Sequence, residues 1–75
     1  MNRPKPGDKV LLLSASPELL SGLPVEDQSA IREAVGKLVL LLEWDGDGRA
    51  ELEFTDSNGV MHFIYVKPTE IGSAG

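Results

Sequence analysis

The chain has no cysteine, which excludes a disulfide framework and thiolate chemistry. It has one histidine and only four aromatic residues, Trp44, Phe54, Phe63 and Tyr65. Its longest apolar run, residues 38–42, is five residues, whereas a membrane-spanning helix needs about 20. The charged start Met1-Asn2-Arg3-Pro4-Lys5 leads only to the short apolar stretch 10–13, which does not read as a signal peptide. The expectation is a cytoplasmic protein with no membrane segment. No phosphate-cradling loop is present, because the eight glycines fall at turns and chain ends. Seventy-five residues with 41% apolar content suffice for one small core, hence a single domain over 1–75.

Charge is abundant but local. The net charge is −5, and all of it lies between residues 43 and 56. There Glu43, Asp45, Asp47, Glu51, Glu53 and Asp56 face Arg49 alone, while the rest of the chain balances six bases against six acids. Such a patch repels phosphate, so nucleic acid is disfavoured as a partner. The basic start, Arg3, Lys5 and Lys9, is too short to act as a binding arm.

Residues 1–7, with Pro4, Pro6 and Gly7, read as an irregular lead-in. A first strand is expected over 8–14. Ser16-Pro17-Glu18-Leu19-Leu20 has the grammar of a capped helical turn: Ser at the cap, Pro first, Glu in the first turn. A helix is expected over 24–35, with Ala30, Ile31, Ala34 and Val35 on one arc and Gly36 ending it. After Gly36 the apolar period changes from 3.6 to 2, giving strands over 37–45, 49–56 and 60–66. The connections Asp45-Gly46-Asp47-Gly48 and Asp56-Ser57-Asn58-Gly59 repeat one Asp-x-x-Gly pattern. Asp favours the first position of a type I turn, and Gly takes the positive φ after it. A last short turn at 67–71 returns Ile71 to the core, and residues 72–75 are expected to fray.

Three-residue loops set a register and therefore a buried face. A two-residue Asn58-Gly59 loop is the competing choice, which buries Met61, Phe63 and Tyr65 and exposes Ile64 and Val66. The three-residue loops are preferred because they match apolar to apolar in all three strands. Trp44 then faces Ala50, Leu42 faces Leu52, and Leu40 faces Phe54. In the next pair Ala50 faces Val66, Leu52 faces Ile64, and Phe54 sits near His62. The opposite face carries Val39, Leu41, Met61, Phe63 and Tyr65 among Glu43, Glu51 and Glu53.

With Pro6-Gly7-Asp8-Lys9-Val10 opening the first strand and Val66-Lys67-Pro68-Thr69-Glu70-Ile71 closing the last, residues 6–71 resemble the SH3-like small β-barrel. They are similar in outline to small uncharacterised bacterial proteins of that fold. The resemblance implies a mainly β protein with a barrel of about five strands. The helix is then an insertion in the connection between strands 1 and 2, where SH3 domains carry an irregular loop. The aromatic peptide-binding motif of SH3 domains is not evident, so their ligand is not implied.

The residue inventory points away from catalysis. His62 would need a hydroxyl and an orienting carboxylate, and no spacing supplies them. It is expected to share a proton with Glu53 or a backbone carbonyl. Asp45-x-Asp47-x-Arg49-x-Glu51 superficially matches a calcium loop, but Arg49 holds the fifth position, Ala50 the sixth and Asp56 the twelfth, where calcium loops use oxygen ligands, Gly and Glu. No metal and no cofactor are expected. Trp44 reads either as a lid over Ala50 or as an exposed anchor. The leading functional expectation is a non-enzymatic module that binds a protein partner through Leu41, Glu43, Trp44, Glu51, Glu53, Phe63 and Tyr65, as a monomer or weak homodimer. The alternative is a nucleic-acid-associated barrel serving translation or transcription, which rests on the basic start and on fold analogy.

Overall fold

The computed structural model describes residues 3–73. Strand β1 (Lys9–Leu12) is followed by two helices, α1 (Pro17–Leu20) and α2 (Val25–Ala34). Then come β2 (Leu38–Trp44), β3 (Ala50–Thr55), β4 (Met61–Val66), a 3₁₀ turn (Pro68–Glu70) and β5 (Ile71–Ser73). The five strands form one sheet in the order β4-β3-β2-β1-β5, and every neighbouring pair is antiparallel. The fold is thus mainly β with two helices. Strands β4 and β5 are the two edges and do not pair with each other, so among the described residues no barrel is closed by hydrogen bonds.

Both hairpins are built by an aspartate that serves its own turn. Asp45 Oδ1 accepts from the backbone N–H groups of Asp47 at 2.9 Å and Arg49 at 2.8 Å. Asp56 Oδ1 accepts from those of Asn58 at 2.8 Å and Val60 at 3.0 Å. Gly48 and Gly59 donate back to Asp45 and Asp56 and hold φ of 82° and 81°, a conformation that costs other residues energy. Asp45 N–H donates to the Arg49 carbonyl, and Asp56 N–H to the Val60 carbonyl. The loops therefore have three residues each, as the Asp-x-x-Gly pattern predicts.

From the second turn the β3–β4 register runs without interruption: Ala50 opposite Val66, Leu52 opposite Ile64, Phe54 opposite His62. Strand β2 departs from expectation. Trp44 faces Ala50 and Glu43 faces Glu51, but a bulge between Leu41 and Glu43 then sets Leu41 opposite Leu52 and Leu40 opposite Glu53. One extra residue reverses the faces beyond it. Leu41 is consequently fully buried at 0% exposure, and Val39 is buried too, whereas the expectation put both on the outer face. Leu42 and Leu40, expected inside, are only half-buried.

The core joins Val10, Leu12, Val39, Leu41, Leu52, Ile64, Val66 and Ile71 to Ile31 and Ala34 of α2. The α2 residues Ser29, Ala30 and Glu33 border the β3–β4 turn at Asp56, Ser57 and Asn58. The helix therefore covers one end of the sheet and leaves the outer face of β3 and β4 uncovered. Ser16 caps α1 by accepting from Leu19 N–H at 3.2 Å, and Pro17 takes its first position. Pro24 sits at the cap of α2 rather than inside it. Gly36, at φ 88°, ends the helix and donates to the Leu12 carbonyl at 2.7 Å, which ties the exit of α2 to β1.

The end of the chain is more ordered than expected. Leu11 and Val10 pair with Gly72 and Ser73; residues 1–2 and 74–75, parts of the expected lead-in and frayed tail, lie outside the described residues. Glu70 is buried at 6% exposure. Its Oε1 accepts from Lys67 N–H at 2.9 Å and its Oε2 from Ser16 N–H at 2.8 Å. Its backbone carbonyl accepts from Leu13 N–H at 2.8 Å. A buried carboxylate is tolerated when donors satisfy it, and these bonds lock the 3₁₀ turn to the connection before α1.

Candidate functional site

The outer face of the sheet is organised in two rows. Glu53 stands between Leu40 and Phe63, and Glu51 between Glu43 and Tyr65. Phe63 is 56% exposed and Tyr65 44%, large values for aromatic rings in a strand. Glu43 and Glu51 lie directly opposite each other, a like-charge pairing that destabilises a sheet. Among the described residues none of Glu43, Glu51 and Glu53 takes part in an ion pair. The arrangement spends stability to hold unneutralised carboxylates beside exposed rings.

Five of the seven residues singled out from sequence thus share this face: Glu43, Glu51, Glu53, Phe63 and Tyr65. Leu41 does not, because the bulge turns it into the core. Trp44 is half-buried against the core. Its indole Nε1 donates to the Pro4 carbonyl at 2.9 Å, and the Arg3 guanidinium stands 4.0 Å above its ring. Residues 3 and 4 thus cover the indole, so Trp44 acts as a lid rather than a free anchor. Arg49 lies 5.2 Å over the Tyr65 ring and is already bonded to Asp45 Oδ2 at 2.9 Å.

The edge of β4 adds a feature that side-chain patterns do not display. Asp56 and Val60 form a hydrogen-bonded pair. Alternation then directs the backbone groups of His62, Ile64 and Val66 toward β3, and those of Met61, Phe63 and Tyr65 away from the sheet. Among the described residues nothing bonds to these outward groups. A groove of about 390 Å³ runs along this edge, bordered by Leu19 of α1 and Leu23 on one side and by Phe63, Ile64 and Tyr65 on the other. Ile64 and its neighbours point to opposite faces of the strand, so a cleft that touches all three opens onto the strand's rim. Its two cations, Arg49 and Lys67, are paired with Asp45 and Glu18 respectively.

His62 is differently engaged than expected. Glu53 occupies the other face, so it is out of reach. The imidazole Nε2 lies 2.8 Å from Asp56 Oδ2 and Nδ1 lies 3.6 Å from Asp27 Oδ1 of α2, while the ring stacks on Phe54 with centroids 5.1 Å apart. The hydrogen bond from His62, helped by the Val60 N–H, holds the Asp56 carboxyl below the usual carboxylate range. The Arg49 backbone N–H does most to lower Asp45. The cluster ties α2 to the β3–β4 turn. Among the described residues no hydroxyl is bonded to His62, and no three His, Cys, Asp or Glu side chains converge on a metal position. No helix among them is long and apolar enough to cross a membrane.

No protein-family model, curated protein or solved structure matches this chain.

Proposed function

We propose that the protein is a non-enzymatic interaction module that binds a basic, partly apolar segment of a partner protein on the outer face of β3 and β4. The observation that carries this reading is the pairing of exposed Phe63 and Tyr65 with the unneutralised Glu53 and Glu51. Exposed rings supply apolar area at little entropic cost, and the carboxylates select cations and reject acidic partners. We read the architecture as an SH3-like barrel left open between β4 and β5. The position of β1 between β2 and β5, and the 3₁₀ turn joining β4 to β5, support that reading. Of the three basic residues at the start of the chain that would serve the nucleic-acid alternative, Arg3 is taken up over Trp44.

The test is binding of a short peptide that alternates lysine and valine, followed by the protein's backbone amide resonances. Shifts should centre on Glu51, Glu53, Phe63 and Tyr65 and fade as salt is raised, since exposed charges are screened beyond about 8 Å at physiological ionic strength. Phe63→Ser and the double change Glu51→Gln with Glu53→Gln should each weaken binding and leave the fold intact. Binding that ignores both variants would contradict the proposal.

A further inference from the structure

Building on that reading, we propose that the partner segment binds as an added strand, running antiparallel along the free edge of β4. The outward N–H and C=O groups of Met61, Phe63 and Tyr65 are a ready template for it, and every existing pair in this sheet is antiparallel. Natural edges are blunted by proline, lysine or a bulge, but Met61–Val66 carries none of these.

The groove fixes what such a strand must look like. Residues opposite Phe63 and Tyr65 present their side chains to the outer face. A lysine or arginine there lays its stem across the ring and reaches toward Glu53 or Glu51. Those glutamates lie two strand spacings away, about 9–10 Å between backbones, which two long side chains can bridge. Residues between them point to the inner side, where Leu19 and Leu23 form the wall of the 390 Å³ groove, and should be apolar. The occupant is therefore an extended segment of a partner protein in which basic and apolar residues alternate. A second copy of this chain fits worse. Its own β4 has no Lys or Arg and would arrive with the same carboxylates beside it.

Backbone methylation separates added-strand binding from docking on the face. In an antiparallel added strand, residues with side chains on the outer face are those whose N–H groups bond to β4. The probe is an acetylated, amidated heptapeptide, Val-Lys-Val-Lys-Val-Lys-Val, compared with forms N-methylated at the three lysines or at the three valines that each follow a lysine. Methylated lysines should weaken binding about ten-fold or more, because several hydrogen bonds are lost, while methylated valines should bind within about three-fold of the parent. Exchange of the Phe63 and Tyr65 amides should slow about ten-fold or more on saturation. Equal loss from both methylated forms would overturn strand addition and leave the face reading standing. Absence of any binding at millimolar peptide would overturn both. A peptide-free dimer that protects the Phe63 and Tyr65 amides, and that Phe63→Lys returns to monomer, would assign the edge to a second copy and overturn the proposal.

Discussion

The two hairpins begin from the same turn and end in different places. In each, an aspartate accepts two backbone N–H groups and a glycine with φ near 80° closes the loop. The β3–β4 hairpin keeps the register of its turn to its far end. The β2–β3 hairpin loses it after two residue pairs, at the bulge beside Leu42. Strand β2 answers to a second partner: Val39 lies opposite Val10 of β1, and both are buried. Strand β4 has no second partner among the described residues. A turn fixes pairing near itself, and tertiary packing decides the rest. The strand that packing leaves alone is the one carrying exposed Phe63 and Tyr65.

The widest separation between the hairpins is expected at Leu41 and Phe63. Leu41→Ala removes a fully buried side chain and should cost about 2–5 kcal/mol, enough to unfold much of a domain this small. Phe63→Ala removes an exposed ring and should cost under about 1 kcal/mol. Urea midpoints of the two variants measure the difference, and equal losses would mean the bulge is misplaced.

The turns should instead behave alike. Gly48→Ala and Gly59→Ala force a side chain into positive φ, with no neighbour within 4 Å to add a clash. Each should lower stability by about 1–2 kcal/mol, the cost of that backbone conformation. A difference of more than that between them, in the same urea titrations, would show that the turns are not equivalent.

A smaller contrast is expected in acid. Asp45 and Asp56 are both held below the ordinary carboxylate value of about 3.9, Asp45 chiefly by the Arg49 N–H and Asp56 chiefly by His62. A depressed folded value stabilises the protein above the unfolded value, and that stability is lost as pH falls through the folded one. The loss therefore belongs below about pH 4. Asp56→Asn should flatten the fall in urea midpoint between pH 5 and pH 2 more than Asp45→Asn does. The reason is that Asp56 is 14% exposed and bonded to a 10% exposed imidazole, whereas the Arg49 partner of Asp45 is 50% exposed. The reverse order would separate His62 from the turn's stability.

What could be read in the chain follows the same division. The two Asp-x-x-Gly turns, the capped turn at Ser16 and the pairings from Ala50–Val66 to Phe54–His62 rest on local chemistry and strict alternation, so they are visible in the sequence. The position of Leu41 is not. Residues 38–42 are all apolar, so alternation fits either register and only contact with β1 chooses. Of the partners of His62, Asp27 is hidden because it is distant in sequence and lies on a helix, whereas Asp56 lies only six residues away across the β3–β4 turn. Glu70 left one trace: a glutamate three residues after the start of a turn, the spacing from which its side chain reaches back to a backbone N–H. Its second donor, Ser16 N–H, lies 54 residues away and has no sequence signal. Of the candidate face, Glu43, Glu51, Glu53, Phe63 and Tyr65 were legible from register alone. The open edge was not, since strand order is set by which strand β1 chooses.

Amide hydrogen exchange along β4, in dilute protein without any ligand, reports whether the edge of β4 is open. An open edge gives alternation: slow exchange at His62, Ile64 and Val66, whose N–H groups bond to β3, and fast exchange at Phe63 and Tyr65, whose N–H groups face out. Uniform protection across all five amides would contradict it, because the edge of β4 would then already be covered.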